Sequence, residues 1–133
     1  MSEEYSNLIL TFLTISNQIK LYHWQTKIHP RHVATDKYFN KINELIDKFV
    51  ETLMGRIIIE NKNLNYRLLV ANNNKIILEN YNDSDAFIFL NNIKNYLESN
   101  ILNDIIKKSS DLQNIRDEML GETNQLGYLF SLH

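Results

Sequence analysis

Apolar residues recur every three or four positions through most of the chain, and the places where that rhythm lapses divide it into four helical segments. From Ser2 to Lys27, Tyr5, Leu8, Ile9, Phe12, Leu13, Ser16, Ile19 and His23 share one helical face. Pro30 marks the break, because proline fits the first turn of a helix but not its middle. A second helix, about Arg31 to Ile59, carries Tyr38, Phe39, Ile42, Leu45, Ile46, Phe49, Val50 and Leu53. The pattern is weakest over Glu60 to Asn82, where Arg67 to Ala71 and Lys75 to Glu79 flank Asn72-Asn73-Asn74 and suit either a hairpin or a short helix. Asp83 or Ser84 can cap a third helix, Asp85 to Lys108, that turns Phe87, Leu90, Ile93, Leu97, Ile101 and Ile105 inward. Ser110 or Asp111 can cap a fourth, Leu112 to Leu132, whose inward set is Leu112, Ile115, Met119, Leu126, Leu129 and Phe130. Gly121 and Gly127 in this last helix each cost about 1 kcal/mol in propensity and point to close helix contact. These elements make an all-α four-helix bundle, one domain over residues 1–133, with one longer, irregular connection between helices two and three.

A second pattern is superimposed on helix two. His32, Asp36, Asp47 and Glu51 follow the spacing His-x3-Asp-x10-Asp-x3-Glu. At 100° per residue the four fall within a stripe roughly 100° wide and project from one side. Yet His32 and Glu51 are about 28 Å apart along the axis, and a metal ion needs ligands about 2 Å away. No single copy of the helix can gather all four. The stripe splits into two i,i+4 pairs, His32/Asp36 and Asp47/Glu51. If two copies cross antiparallel, with a two-fold axis near Lys41 and Ile42, the first half of one meets the second half of the other. Two identical His/carboxylate sites per dimer result.

Composition narrows the chemistry. The chain has no cysteine, which excludes disulfides, thiolate metal sites and cysteine nucleophiles. A metal here would be held by imidazole and carboxylate, which suits iron, manganese or zinc. A formal charge of -2 argues against a general nucleic-acid binder. No apolar run approaches a membrane span and no signal peptide is read at the start, so a soluble protein of the cytoplasm is expected. One proline and three glycines agree with long helices. The abundance of asparagine and isoleucine reads as AT-rich coding, which fits many hosts and several large viruses.

A ferroxidase-type centre needs oxygen-rich, partly imidazole ligands and an open position for dioxygen or peroxide. His23, His32 and Asp36 of one subunit with Asp47 and Glu51 of another meet that requirement. Each pair taken singly is more often a solvated helix face, and a lone His23 more often a hydrogen-bonded core residue; the symmetry of the joint pattern is the added condition. Glu118 and Glu122 read as a solvated face. No Glu is followed three residues later by His, so a Glu-x-x-His site within one bundle is not expected.

Tyr22-His23-Trp24 through Glu51 resembles the Dps proteins, the mini-ferritins of starved and oxidatively stressed bacteria. Asp111-Leu112-Gln113 through Tyr128-Leu129-Phe130 is similar to that family's final helix. The chain also resembles ferritin-like proteins carried by phages and large DNA viruses, which would place it in a host cytoplasm or a virion. The resemblance implies a ferritin-like bundle that oxidises ferrous iron, preferably with hydrogen peroxide, at a di-iron-type site shared across a dimer two-fold. It further implies iron storage in a hollow twelve-subunit shell, with manganese or zinc as substitute ions. Carried over by position, His23, His32 and Asp36 bind metal with Asp47 and Glu51 of a second copy, and Trp24 lies beside the site to intercept radicals. His23 and His32 are closer in sequence than the family's two histidines. The family's basic DNA-binding tail is missing, so DNA binding is not expected. Two other readings stand beside this one: a structural or interaction protein, viral in origin, whose site has decayed or merely holds an ion, and a helical bundle that binds a protein partner through a polar stripe.

Overall fold

A computed structural model describes residues 3–61 and 75–133. The apolar rhythm folds into α1 (Glu3–Gln25), α2 (His29–Asn61), a 3-10 turn (Asp83–Asp85), α3 (Ala86–Leu97), α4 (Asn100–Ile106) and α5 (Ser110–Ser131). Among the described residues there is no strand. The segment expected as a hairpin or a short helix is only half within them. Lys75–Glu79 has no regular structure, and Arg67–Ala71 lies outside the described residues.

Three residues, Thr26 to Ile28, join α1 to α2, so these helices are antiparallel neighbours. Tyr22, near the end of α1, packs against Phe89 at the start of α3 and Phe130 at the end of α5, with ring centroids 5.6 and 5.7 Å apart. Phe12, half a helix lower, meets Phe49 of α2 edge-on at 5.1 Å and Tyr96, near the end of α3, at 6.2 Å. The helices α1, α2, α3 and α5 therefore run up, down, down and up. The end of α2 and the start of α3 therefore lie at opposite ends of the bundle. The core between them is continuous from Leu8 to Phe130. A buried polar link within it joins α2 to α5: Tyr38 donates to the Thr123 hydroxyl at 2.8 Å, and Thr123 donates to the Met119 carbonyl. Burial at this bond raises the Tyr38 phenol well above its ordinary pKa.

The third helix departs from the expected single rod. It stops at Leu97, and Ser99 starts α4 by accepting the Leu102 N–H on its hydroxyl. The Leu97 carbonyl instead accepts from the Arg116 guanidinium of α5 at 3.1 Å. The interruption advances the buried face by one residue. Leu102 and Ile106 go inward, whereas Ile101 is 67% exposed and Ile105 only partly buried. In α3 the buried face is Ala86, Phe89, Leu90, Ile93 and Leu97. Phe87, expected inside, is 47% exposed at the edge of Phe130, and Leu13 of α1 is likewise exposed.

The caps differ as well. The 3-10 turn precedes α3, whose N-cap is Asp85, and neither Asp85 nor Asn82 before the turn uses its side chain as a cap. The cap of α5 is Ser109, again without a side-chain bond, and Asp111 lies inside the first turn. Gly121 faces open space, and a Cβ on Gly127 would meet only Leu90 at 4.0 Å, so neither glycine marks a tight helix crossing.

Phe89→Ala should cost about 3–5 kcal/mol in urea unfolding because it empties a closed site. Phe87→Ala should cost about 1 kcal/mol, the size of an edge contact and a cation–π contact. Equal losses would mean that the α3 face is turned by one residue.

Candidate metal centre

The short connection decides how the histidines meet. Pro30 occupies the first turn of α2, where its missing N–H would be unpaired in any case. The first N–H groups of that helix, Arg31 and His32, reach back to the Ile28 carbonyl at 3.0 and 3.1 Å. His32 is thereby set over the last turn of α1. Its ring stacks on that of His23, centroids 3.9 Å apart and planes 17° from parallel.

The hydrogen bonds place one proton on each ring. Nδ1 of His32 lies 2.9 Å from the main-chain carbonyl of His23, which can only accept, so His32 carries its proton on Nδ1. Nδ1 of His23 lies 3.0 Å from the Thr35 hydroxyl. Thr35 directs its own proton to the carbonyls of Arg31 and His32, so His23 donates from Nδ1. Both rings thus carry a proton on Nδ1, and in its neutral form each leaves Nε2 as a lone pair. That is the state a histidine needs to bind a metal ion, with its other nitrogen anchored by a protein oxygen.

His23 is buried, 7% exposed, whereas His32, Asp36, Asp47 and Glu51 all lie on the open face of α2. Burial lowers the His23 pKa, and the nearby His32 and Lys20 charges lower it further, while the Asp36 carboxylate pulls the other way. Asp36 is thus close enough to be felt at the histidine pair. Asp47 and Glu51 are not, since 11 residues of helix place Asp47 about 16 Å beyond Asp36. Among the described residues, no three His, Asp or Glu side chains of one chain are grouped to hold a metal. None of Asp36, Asp47 and Glu51 has an ion-pair partner among the described residues. Ile42, near which the two-fold was expected, is buried in the core of its own chain; only Lys41 at that level faces outward. Trp24, 68% exposed, lies beside the Lys20 ammonium, 5.5 Å from its ring.

Sequence reasoning missed the residues that hold this arrangement. Thr35 is fully buried under the histidines, and its only signal was a threonine three positions after His32 on the inward side. His29 lies 6.1 Å from His32 in a near-parallel plane. Arg31, 4% exposed, donates to Tyr22 Oη, to the Asp83 carbonyl and to the carbonyls of Phe130 and His133. Asp83, read as a helix cap, accepts from Tyr22, Thr26 and the Lys27 N–H instead. Burial alone would raise its carboxyl. The Thr26, Tyr22 and Lys27 hydrogen bonds and the Arg31 charge outweigh that and hold it below the ordinary carboxylate range. A separate groove of about 510 Å³ between α3 and α5 carries no histidine or carboxylate.

These features describe an all-helical bundle with a preset imidazole pair at one end of a carboxylate-bearing helix. Residues 23–130 match the model of a family described as a family of unknown function, DUF5856, and the chain belongs to that family. The match begins at His23 and ends at Phe130. No curated protein and no solved structure matches the chain.

The pKa directions set the response to acid. His23 and Asp83 both have lower values folded than unfolded, so the unfolded chain binds more protons in each window and stability rises with pH through both. The His23 contribution is complete above its unfolded value of 6.5 and is lost as pH falls through its folded value. The Asp83 contribution is complete above about pH 4 and is lost below it. Urea midpoints of the metal-free protein should therefore fall in two stages on acidification. His23→Gln should remove the upper stage, and Asp83→Asn the lower. An upper stage that survives in His23→Gln would assign it to another group.

Proposed function

We propose that the protein binds and oxidises ferrous iron in the manner of a Dps-type mini-ferritin, at sites shared between two chains. Each site takes His23, His32 and Asp36 from one chain and Asp47 and Glu51 from a second copy crossing antiparallel beside Lys41. The observation that carries this reading is the stacked histidine pair, with both Nδ1 atoms anchored and both Nε2 lone pairs free. Two stacked rings cannot both direct Nε2 at one ion lying between them, so the pair suits two neighbouring ions better than one, and paired metal centres have a separation of about 3.5–4 Å. The unpaired carboxylates add support. Antiparallel crossing sets Asp36 of one copy against Asp47 of the other, a like-charge contact that is favourable only with a cation between.

The up, down, down, up order with one long crossover is also the arrangement of ferritin-like bundles. Among the described residues, no helix is long and apolar enough to cross a membrane. Iron in this scheme is the substrate. Two ferrous ions give one electron each to hydrogen peroxide, which takes up two protons and leaves as two waters. The neutral imidazoles hold the ions without adding charge, while Asp36, Asp47 and Glu51 offset the charge gained on oxidation. The ferric product would accumulate inside a closed shell of twelve chains, with manganese or zinc able to occupy the same ligands.

A second reading, a ferritin-like structural or interaction protein whose site only holds an ion or has decayed, draws on the absence of any three-ligand group within one chain among the described residues. Anaerobic ferrous titration separates the two. Under the first reading it saturates at about one to two ions per chain, sedimentation shows association strengthened by the ion, and added peroxide oxidises the bound iron. Asp36→Ala with Glu51→Ala should abolish binding while leaving helicity intact. Unchanged binding in that double variant would sink the shared site, and binding without turnover would favour the second reading.

A further inference from the structure

The connection between the two histidine-bearing helix ends is bonded to a residue far from it in sequence. Asp83 receives four hydrogen bonds from the region where α1 turns into α2. Its carboxylate accepts from Tyr22 Oη at 2.7 Å, the Thr26 hydroxyl at 2.5 Å and the Lys27 N–H at 3.1 Å. Its main-chain carbonyl accepts from the Arg31 guanidinium at 2.7 Å. Thr26 Oγ1 in turn accepts the Ile28 N–H at 3.2 Å. Every residue of the three-residue connection is therefore tied to Asp83, directly or through one hydroxyl. Tyr22 immediately precedes His23, and Arg31 immediately precedes His32.

The carboxylate is not spent on its own helix, since neither the 3-10 turn nor α3 has a side-chain cap. What it fixes is the relation of two helix ends. A 30° rotation of α2 about its axis carries an imidazole roughly 6 Å from that axis through about 3 Å. That is enough to break both the 3.9 Å ring stack and the 2.9 Å bond from His32 to the His23 carbonyl.

We propose that Asp83 is the positioning residue of the paired-histidine site: by clamping the α1–α2 connection it sets the register in which His32 lies on His23 and both rings keep Nδ1–H. The proposal rests on reading His23 and His32 as ligands, yet its primary readout needs no metal. In the metal-free, 15N-labelled full chain at one fixed pH above 7, long-range nitrogen–proton spectra report the tautomer of each imidazole, assigned with single His→Gln variants. The wild type should show His23 and His32 as Nδ1–H. Asp83→Ala, with helicity retained, should shift both toward the Nε2–H form that free imidazole side chains prefer. Gln18→Ala, which breaks the pairing of α1 with the Glu79 main chain but not the clamp, should leave both unchanged. If Asp83→Ala does not fold, Thr26→Val removes one donor and should give the same shift in part.

Zinc, which has no redox chemistry, is the probe for affinity. Its binding should weaken about tenfold or more in the same variants. A folded Asp83→Ala or Thr26→Val chain with wild-type imidazole spectra and zinc affinity would overturn the positioning role and leave the metal reading intact. A wild type that binds no zinc, with tautomers that still respond to Asp83, would overturn the metal reading and uphold the clamp.

Discussion

Three residues separate α1 from α2, and the bonds that hold that connection short govern the end of the bundle where His23 and His32 stack. A tight connection leaves an antiparallel helix pair little freedom in relative rotation. What remains is removed by a buried polar cluster: Arg31 at its centre, Asp83 and Tyr22 beside it, and the last carbonyls of α5 beyond. The Arg31 guanidinium also lies over the ring of Phe130 at 4.9 Å. Four segments distant in sequence are joined through one side chain. Its Nε is left buried without a partner, beside four charge-assisted hydrogen bonds and two aromatic contacts of the same group. Such a cluster is weak evidence for stability, because desolvation offsets much of its attraction. Its stronger effect is on geometry, since the cluster is satisfied only when the four segments meet in one register.

The apolar core and the polar end divide the work. Aromatic edges between Phe12, Phe49 and Tyr96 meet in the middle of the bundle. The histidine pair is held differently. Its stack and its two Nδ1 bonds are directional, and rotation on the scale of a side-chain repacking would undo them. These directional contacts lie at the end of the bundle that the Arg31 cluster ties together.

The outer face of α2 is built on the opposite principle. Asp36, Asp47 and Glu51 remain solvated and free of ion pairs among the described residues, and solvent screening makes that tolerable in a single chain. In contact with a second copy the same carboxylates repel unless a cation joins them, so under the proposed function association and ion binding are one equilibrium. The imidazoles enter that equilibrium already in their binding tautomer.

Much of the fold was legible in the sequence because helices write their buried face locally, at a period of three to four residues. The segments, the break before Pro30 and the long connection before α3 all follow from that period. The carboxylate stripe was legible for the same reason, since spacing along one helix is local geometry. The sequence also determined, by distance alone, that the stripe is too long for one ion. What only the tertiary structure decided is everything that depends on two segments meeting. The one-residue shift after Leu97 arises because a serine cap and an Arg116 bond from α5 interrupt a helix that its own pattern would continue. The state of His23 and His32 arises because a three-residue turn stacks one on the other over Thr35. Asp83 carries the ordinary signal of a helix cap, and only its position beside Tyr22, Thr26 and Lys27 makes it a clamp. Periodicity records which side of a helix is buried; it does not record what that side will touch.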